Sequence, residues 1–107
     1  MEFRNMTPHA IVVRTAAGDR VFTPSGSVPR VAMTPATLPE VDGIEVVQTT
    51  YGPVEGMPSP EEGIGYIVSA MVADRLSGRS DIYCPDTGAT AIRENGQIVA
   101  VTRLIKR

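Results

Sequence analysis

A chain of 107 residues, 42% hydrophobic and 21% charged, has the composition of one globular domain and not of a disordered chain. Its net charge of −2 leaves no cationic field to hold a nucleic-acid polymer or an anionic membrane. One cysteine, Cys84, and one histidine, His9, exclude an internal disulfide and a Cys/His zinc site within one subunit.

Ten glycines and nine prolines spread along the chain break long helices and predict many short elements. His9 to Arg14 (HAIVVR) reads as a strand, Ala17-Gly18-Asp19 as a turn and Arg20 to Thr23 as the returning strand of a hairpin. After a turn at Pro24 to Ser27, Val28 to Met33 reads as a short strand near a sheet edge. Thr34 to Glu40, with Pro35 and Pro39, reads as an extended connection. Ile44 to Tyr51 is the next strand, and Gly52 to Gly65 is predicted to be a long ordered loop.

Gly65 to Ser69 (GYIVS) reads as a buried-type strand. Ala70 to Leu76 reads as the one helix, with Gly78 as its stop, so helix is expected near residues 70–77. Asp81 to Cys84 is a strand closed by Pro85. Asn95-Gly96 between two apolar runs predicts a type I′ hairpin of residues 89–94 and 97–105. The second run is apolar on both faces, so the core or another subunit should cover both sides. The fold class expected is mainly β (α+β), a small antiparallel sheet domain spanning 1–107 with one short helix and a C-terminal β-hairpin.

Charge is unevenly placed. No Lys or Arg occurs from Val31 to Ala73, a stretch that holds Glu40, Asp42, Glu45, Glu55, Glu61 and Glu62. Two readings stand: a solvated acidic surface, and an acidic loop that meets arginines of a neighbouring subunit. All the basic residues but Lys106 are arginine. That bias suits recognition of phosphate or carboxylate, and it also follows from a GC-rich genome.

Several polar clusters are candidates for binding. Asn5, Thr7 and His9 supply donors and acceptors around Pro8; they read either as a ligand site or as a turn that satisfies its own backbone. Ser69 stands where strand meets helix and reads as a helix cap, with an anion cradle as the alternative. Arg79, Asp81 and Asp86 flank a short strand and either pair with one another or grip a polar ligand. Asp86-Thr87-Gly88 shares the aspartic-protease tripeptide, but Pro85 stands where that motif needs an apolar strand, so a turn is the better reading. Tyr51 is placed to stack on a base or sugar. Arg93 and Arg103 lie on the two arms of the terminal hairpin, where counting outward from the turn puts Arg103 opposite Gly88 and far from Arg93.

The strings NMTPHAIVV, PSG near residue 25, YGPVEGMPSPEEGIGYIVSAMVA and RSDIYCPDTG resemble a group of small proteins of actinobacteria and their phages or prophages. That group shares Asn-x-Thr-Pro-His near the start and Tyr-Ile-Val-Ser in the second half. The resemblance covers nearly the whole chain, and its polar positions here are Asn5, Thr7, His9, Ser69, Arg79, Asp81 and Asp86. It implies a phage-related setting, and small phage proteins that sequester cyclic nucleotide immune signals, which are compact, oligomeric and cofactor-free, are then an analogy of size and setting, not of motif.

No complete catalytic constellation is present, so binding is expected rather than catalysis. The leading expectation is a non-enzymatic homo-oligomer that holds a small anionic, nucleotide-like ligand, with no catalytic residue, metal or cofactor. Its expected ligand-binding residues are Arg79, Arg93, Arg103, Tyr51, Asn5, Thr7, His9, Ser69 and Asp86. One alternative is a structural or protein-interaction module of phage origin. Another is a small hydrolase using His9 with Asp81 or Asp86. No apolar run approaches the ~20 residues of a membrane span, the first residues lack a signal-peptide stretch, and a lone cysteine fits a reducing compartment, so a cytoplasmic protein is expected.

Overall fold

The most apolar segment of the chain lies at the centre of the fold. In the computed structural model, which describes residues 1–106, β6 (Ile64–Ile67) is flanked by β1 (Glu2–Asn5) and β7 (Ile82–Pro85), both parallel to it. β10 (Leu104–Lys106) pairs antiparallel with β7 and completes a four-stranded sheet of order β1-β6-β7-β10. Parallel neighbours need a crossover, and α1 (Ala70–Asp74) supplies it between β6 and β7. Tyr66, Ile67, Val68, Ile82 and Cys84 are wholly buried, and α1 adds Val72 and Ala73 to this core. Burial of each large aliphatic side chain here is worth about 1.5–3 kcal/mol of transfer free energy.

The protein is mainly β with one short helix, as the sequence predicts. β1 has no counterpart among the predicted strands. Its residues Glu-Phe-Arg-Asn lack a β-branched run, and they extend because β6 offers an edge to pair with. Phe3 fixes that placement by meeting Phe22 and Tyr83 edge-on, with centroids 5.9 and 5.1 Å apart. The helix ends at Asp74 rather than Leu76, with Arg75 as its C-terminal cap.

Two hairpins form about turns that the sequence marks. β2 (Ile11–Thr15) pairs with β3 (Gly18–Phe22), and β8 (Ile92–Glu94) pairs with β9 (Gln97–Ala100) around Asn95 (φ 52°) and Gly96 (φ 78°). The arm predicted to run on to residue 105 stops at Ala100. Val101 donates to the Val12 carbonyl and accepts from Arg14 N, which turns the chain out of the hairpin. Ala100 and Val101 are therefore buried in succession, and β10 joins the central sheet instead. The two-sided apolar pattern is resolved by dividing the run between two sheets.

The largest departure lies between residues 30 and 55. β4 (Arg30–Val41) and β5 (Ile44–Glu55), 12 residues each, form one long hairpin around Asp42 (φ 51°) and Gly43 (φ 77°). Thr34 to Glu40, expected as a connection, is strand, and Gly52 to Glu55 belongs to β5 rather than to the long loop. Pro35 and Pro39 are accommodated because β4 is an edge strand and the register shifts between Leu38 and Val41. Only the root of this arm meets the core, through Val31 and Val54. The arm gives the molecule a long axis of 56 Å and a radius of gyration of 16.8 Å, against about 13 Å for a compact chain of this length.

Candidate functional site

Asn5, Thr7 and His9 form a self-satisfied latch. Asn5 is 2% exposed. Its Nδ2 donates to the carbonyls of His9 and Phe22, both at 2.8 Å, and its Oδ1 accepts from Thr7 N at 2.9 Å. The Thr7 hydroxyl lies 2.6 Å from the same Oδ1. The Asn5 carbonyl accepts from Ser25 N, so one residue joins β1, the turn that follows it and the end of β3. Every polar atom of the Asn5 side chain is engaged within the fold. The His9 side chain is exposed and makes no hydrogen bond among the described residues.

The three arginines expected to bind an anion are also committed. Arg79 donates from Nε and Nη2 to the two oxygens of Asp81, at 3.0 and 2.7 Å, and from Nη1 to the Pro58 carbonyl at 3.0 Å. This fork ties the turn before β7 to the loop before β6. The hydrogen bond from Arg79 holds the Asp81 carboxyl below the usual range, against the opposing effect of its burial.

Arg93 and Arg103 meet at one turn, contrary to the separation that a continuous hairpin arm requires. Arg103 Nε donates to Asp86 Oδ2 at 2.6 Å. Arg93 donates to the carbonyls of Thr87 and Gly88, at 2.9 and 3.3 Å. Asp86 Oδ1 accepts from Gly88 N at 3.0 Å, the local turn expected of an Asp at this place. The Arg103 bond, and then the Gly88 N–H, lower the Asp86 pKa. Arg103 arrives here because β9 ends at Ala100 and the chain folds back beside β7, where Asp86 N donates to the Arg103 carbonyl.

Ser69 caps α1: its Oγ accepts from Val72 N at 3.3 Å. Tyr51 stands at the arm root with the Arg75 guanidinium 3.9 Å from its ring centroid. The nine expected site residues thus fall at five places: the Asn5 latch, the Arg79 fork, the Asp86 turn with its two arginines, the Ser69 cap of α1, and Tyr51 against Arg75. Asp81 and Asp86 are each bound to an arginine, and no bond joins either to His9 among the described residues.

Open clefts flank these groups, among them one of about 420 Å³ between Arg4, Met6, Ser25 and Pro58. Another of about 440 Å³ is lined by Glu61, Glu62, Arg79 and Asp81. A further one, about 340 Å³, is largely apolar and lies between His9, Val12, Thr87, Ile98 and Val99. No group of three or more His, Cys, Asp or Glu able to hold a metal ion occurs among the described residues. No described helix is long and apolar enough to cross a membrane.

The surface that sequence reasoning missed is the arm. By register, Met33 and Tyr51 are paired on one face with Thr37 and Val47. Met33 is 57% exposed, Val47 51% and Tyr51 44%, and Ile44 at the tip is 65% exposed. Asp42-Gly43 between Val41 and Ile44 is the signal that would have revealed it, since that pair favours a type I′ turn as Asn-Gly does. Comparison of the chain with family models, curated proteins and solved structures finds no match.

Proposed function

We propose that this protein is a non-catalytic, self-associating interaction module whose working element is the β4–β5 arm. One observation carries the reading: a hairpin of two 12-residue strands that stands off the core with apolar side chains exposed along it. An isolated two-stranded hairpin is marginally stable in water and leaves two open edges. Covering it by association supplies the third strand or the apolar partner that it lacks. The polar clusters support the same reading, because their charges serve to hold loops and turns together. Light scattering across micromolar concentrations tests it. A mass that is a multiple of 11.4 kDa is expected, with reversion to a monomer when residues 34–50 are replaced by a short turn. A monomer of the full chain would overturn the reading.

A small anionic ligand is the second reading, favoured by the pairing of exposed Tyr51 with half-buried Arg75 at the arm root. A stacked guanidinium and phenol offer an anion both charge and an aromatic surface. Native mass spectrometry of protein purified from its own host tests it, through a retained small molecule that Arg75→Ala loses.

A further inference from the structure

Resting on the self-association reading, we infer that two copies pair arm to arm, antiparallel, through the β5 edges, to form a continuous sheet of order β4-β5-β5-β4 around a two-fold axis. The two edges of the arm are chemically unequal. β4 carries Pro35 and Pro39, which remove backbone donors and blunt that edge. β5 has no proline from Ile44 to Gly52, and no described strand other than β4 pairs with it. In an antiparallel ladder every second residue of β5 directs its N–H and C=O away from β4. The β5 edge is therefore the one that can accept another strand.

Charge sets the direction. The arm tip holds Glu40, Asp42 and Glu45, with no basic residue near them in sequence and no ion pair among the described residues. The cations of the arm region lie at its root, Arg30 in β4 and Arg75 over Tyr51, beside Glu55 and Asp74. Parallel arms would bring six tip carboxylates together. Antiparallel arms separate the two tips by roughly 40 Å, the length of a 12-residue strand, well beyond the ~8 Å screening length at physiological salt. They also carry each acidic tip to the arginines at the other root. The same acidic tip repels a nucleic acid or an anionic membrane, and it fits a second copy of this chain.

The pairing is isologous, so a residue beside the axis meets its own counterpart, whereas a residue at the tip does not. Single cysteines placed in turn from Ile44 to Thr50 of the full chain test this under mild oxidation. Cys84 is wholly buried and does not interfere. Expected is rapid intermolecular disulfide formation at a position between Val47 and Thr50, with none at Ile44→Cys. Efficient linkage of Ile44→Cys would overturn the antiparallel direction. A multimeric mass with no linkage at any position would overturn arm pairing while leaving self-association standing. A monomeric mass would overturn both.

Discussion

The Asn5 carboxamide donates at 2.8 Å to the carbonyl of Phe22, a residue 17 positions along the chain. The same nitrogen donates to the His9 carbonyl. The backbone of Asn5 continues the parallel ladder onto Ile67, and its side chain closes the loop that leads to β2 and β3. A motif that suggests a ligand site thus works as a clamp between the central sheet and the first hairpin.

Asn5→Ala should therefore cost about 3 kcal/mol, since it strands buried carbonyl and amide groups that each carry a penalty of about 1–3 kcal/mol. Asn5→Asp should be comparably harmful at neutral pH, because a carboxylate can accept from Thr7 but cannot donate to two carbonyls. Urea unfolding of both variants measures this. A loss below 1 kcal/mol in each would show that water replaces the clamp.

Gly65→Ala should destabilise by roughly 1–3 kcal/mol through overpacking. A methyl group at this position would lie 2.9 Å from Tyr83 Cε2 and 3.0 Å from the Phe3 ring. Those rings already meet edge-on at 5.1 Å, so neither can retreat without losing that contact. Phe3→Leu combined with Gly65→Ala should recover part of the loss. Thermal unfolding of the single and double variants tests it, and additive losses would exclude the steric explanation.

Gly96→Val should destabilise the β8–β9 hairpin by roughly 1–2 kcal/mol, the cost of forcing an L side chain into left-handed backbone. Space is not the cause: nothing lies within 4 Å of a Cβ built there, but φ is +78°. Gly96→Asn should be much milder, because Asn tolerates that region. Equal losses for Val and Asn in chemical denaturation would refute the backbone explanation.

Stability should fall with acid below the ordinary carboxylate range. Asp81 and Asp86 both have pKa values lowered by arginine hydrogen bonds in the folded state. Groups with depressed folded pKa values bind fewer protons folded than unfolded, so their contribution is complete above the unfolded value of about 3.9 and is lost as pH falls through the folded value. From about pH 5 to 7, where both states are ionised, these two carboxylates should contribute almost no slope. Urea midpoints from pH 7 to 2.5 measure this, and Asp81→Asn should flatten the acid limb. An unchanged limb in Asp81→Asn would place the acid sensitivity elsewhere.

Local chemistry was legible wherever one or two residues decide the backbone. Asn95-Gly96 dictates its turn because both residues accept positive φ, and the structure has both there. Ser69 caps the helix because its hydroxyl reaches Val72 N from an extended backbone. The unbroken apolar run at Tyr66 to Val68 marks a strand covered on both faces, and these residues are wholly buried.

What sequence alone determined, then, is the mainly β composition, the short helix after β6 and the terminal hairpin turn. The rest was decided by pairing between distant segments. Glu2–Asn5 is a strand because β6 lies beside it, and residues 97–105 divide because Val101 finds Val12. That division brings Arg103 to Asp86 and so gathers Arg93 and Arg103 on one turn. Pro35 and Pro39 read as breakers in a one-dimensional pattern, yet an edge strand needs no donor on its open side. Strand partners, edges and converging side chains depend on contacts across long stretches of chain, and local propensity carries no record of those.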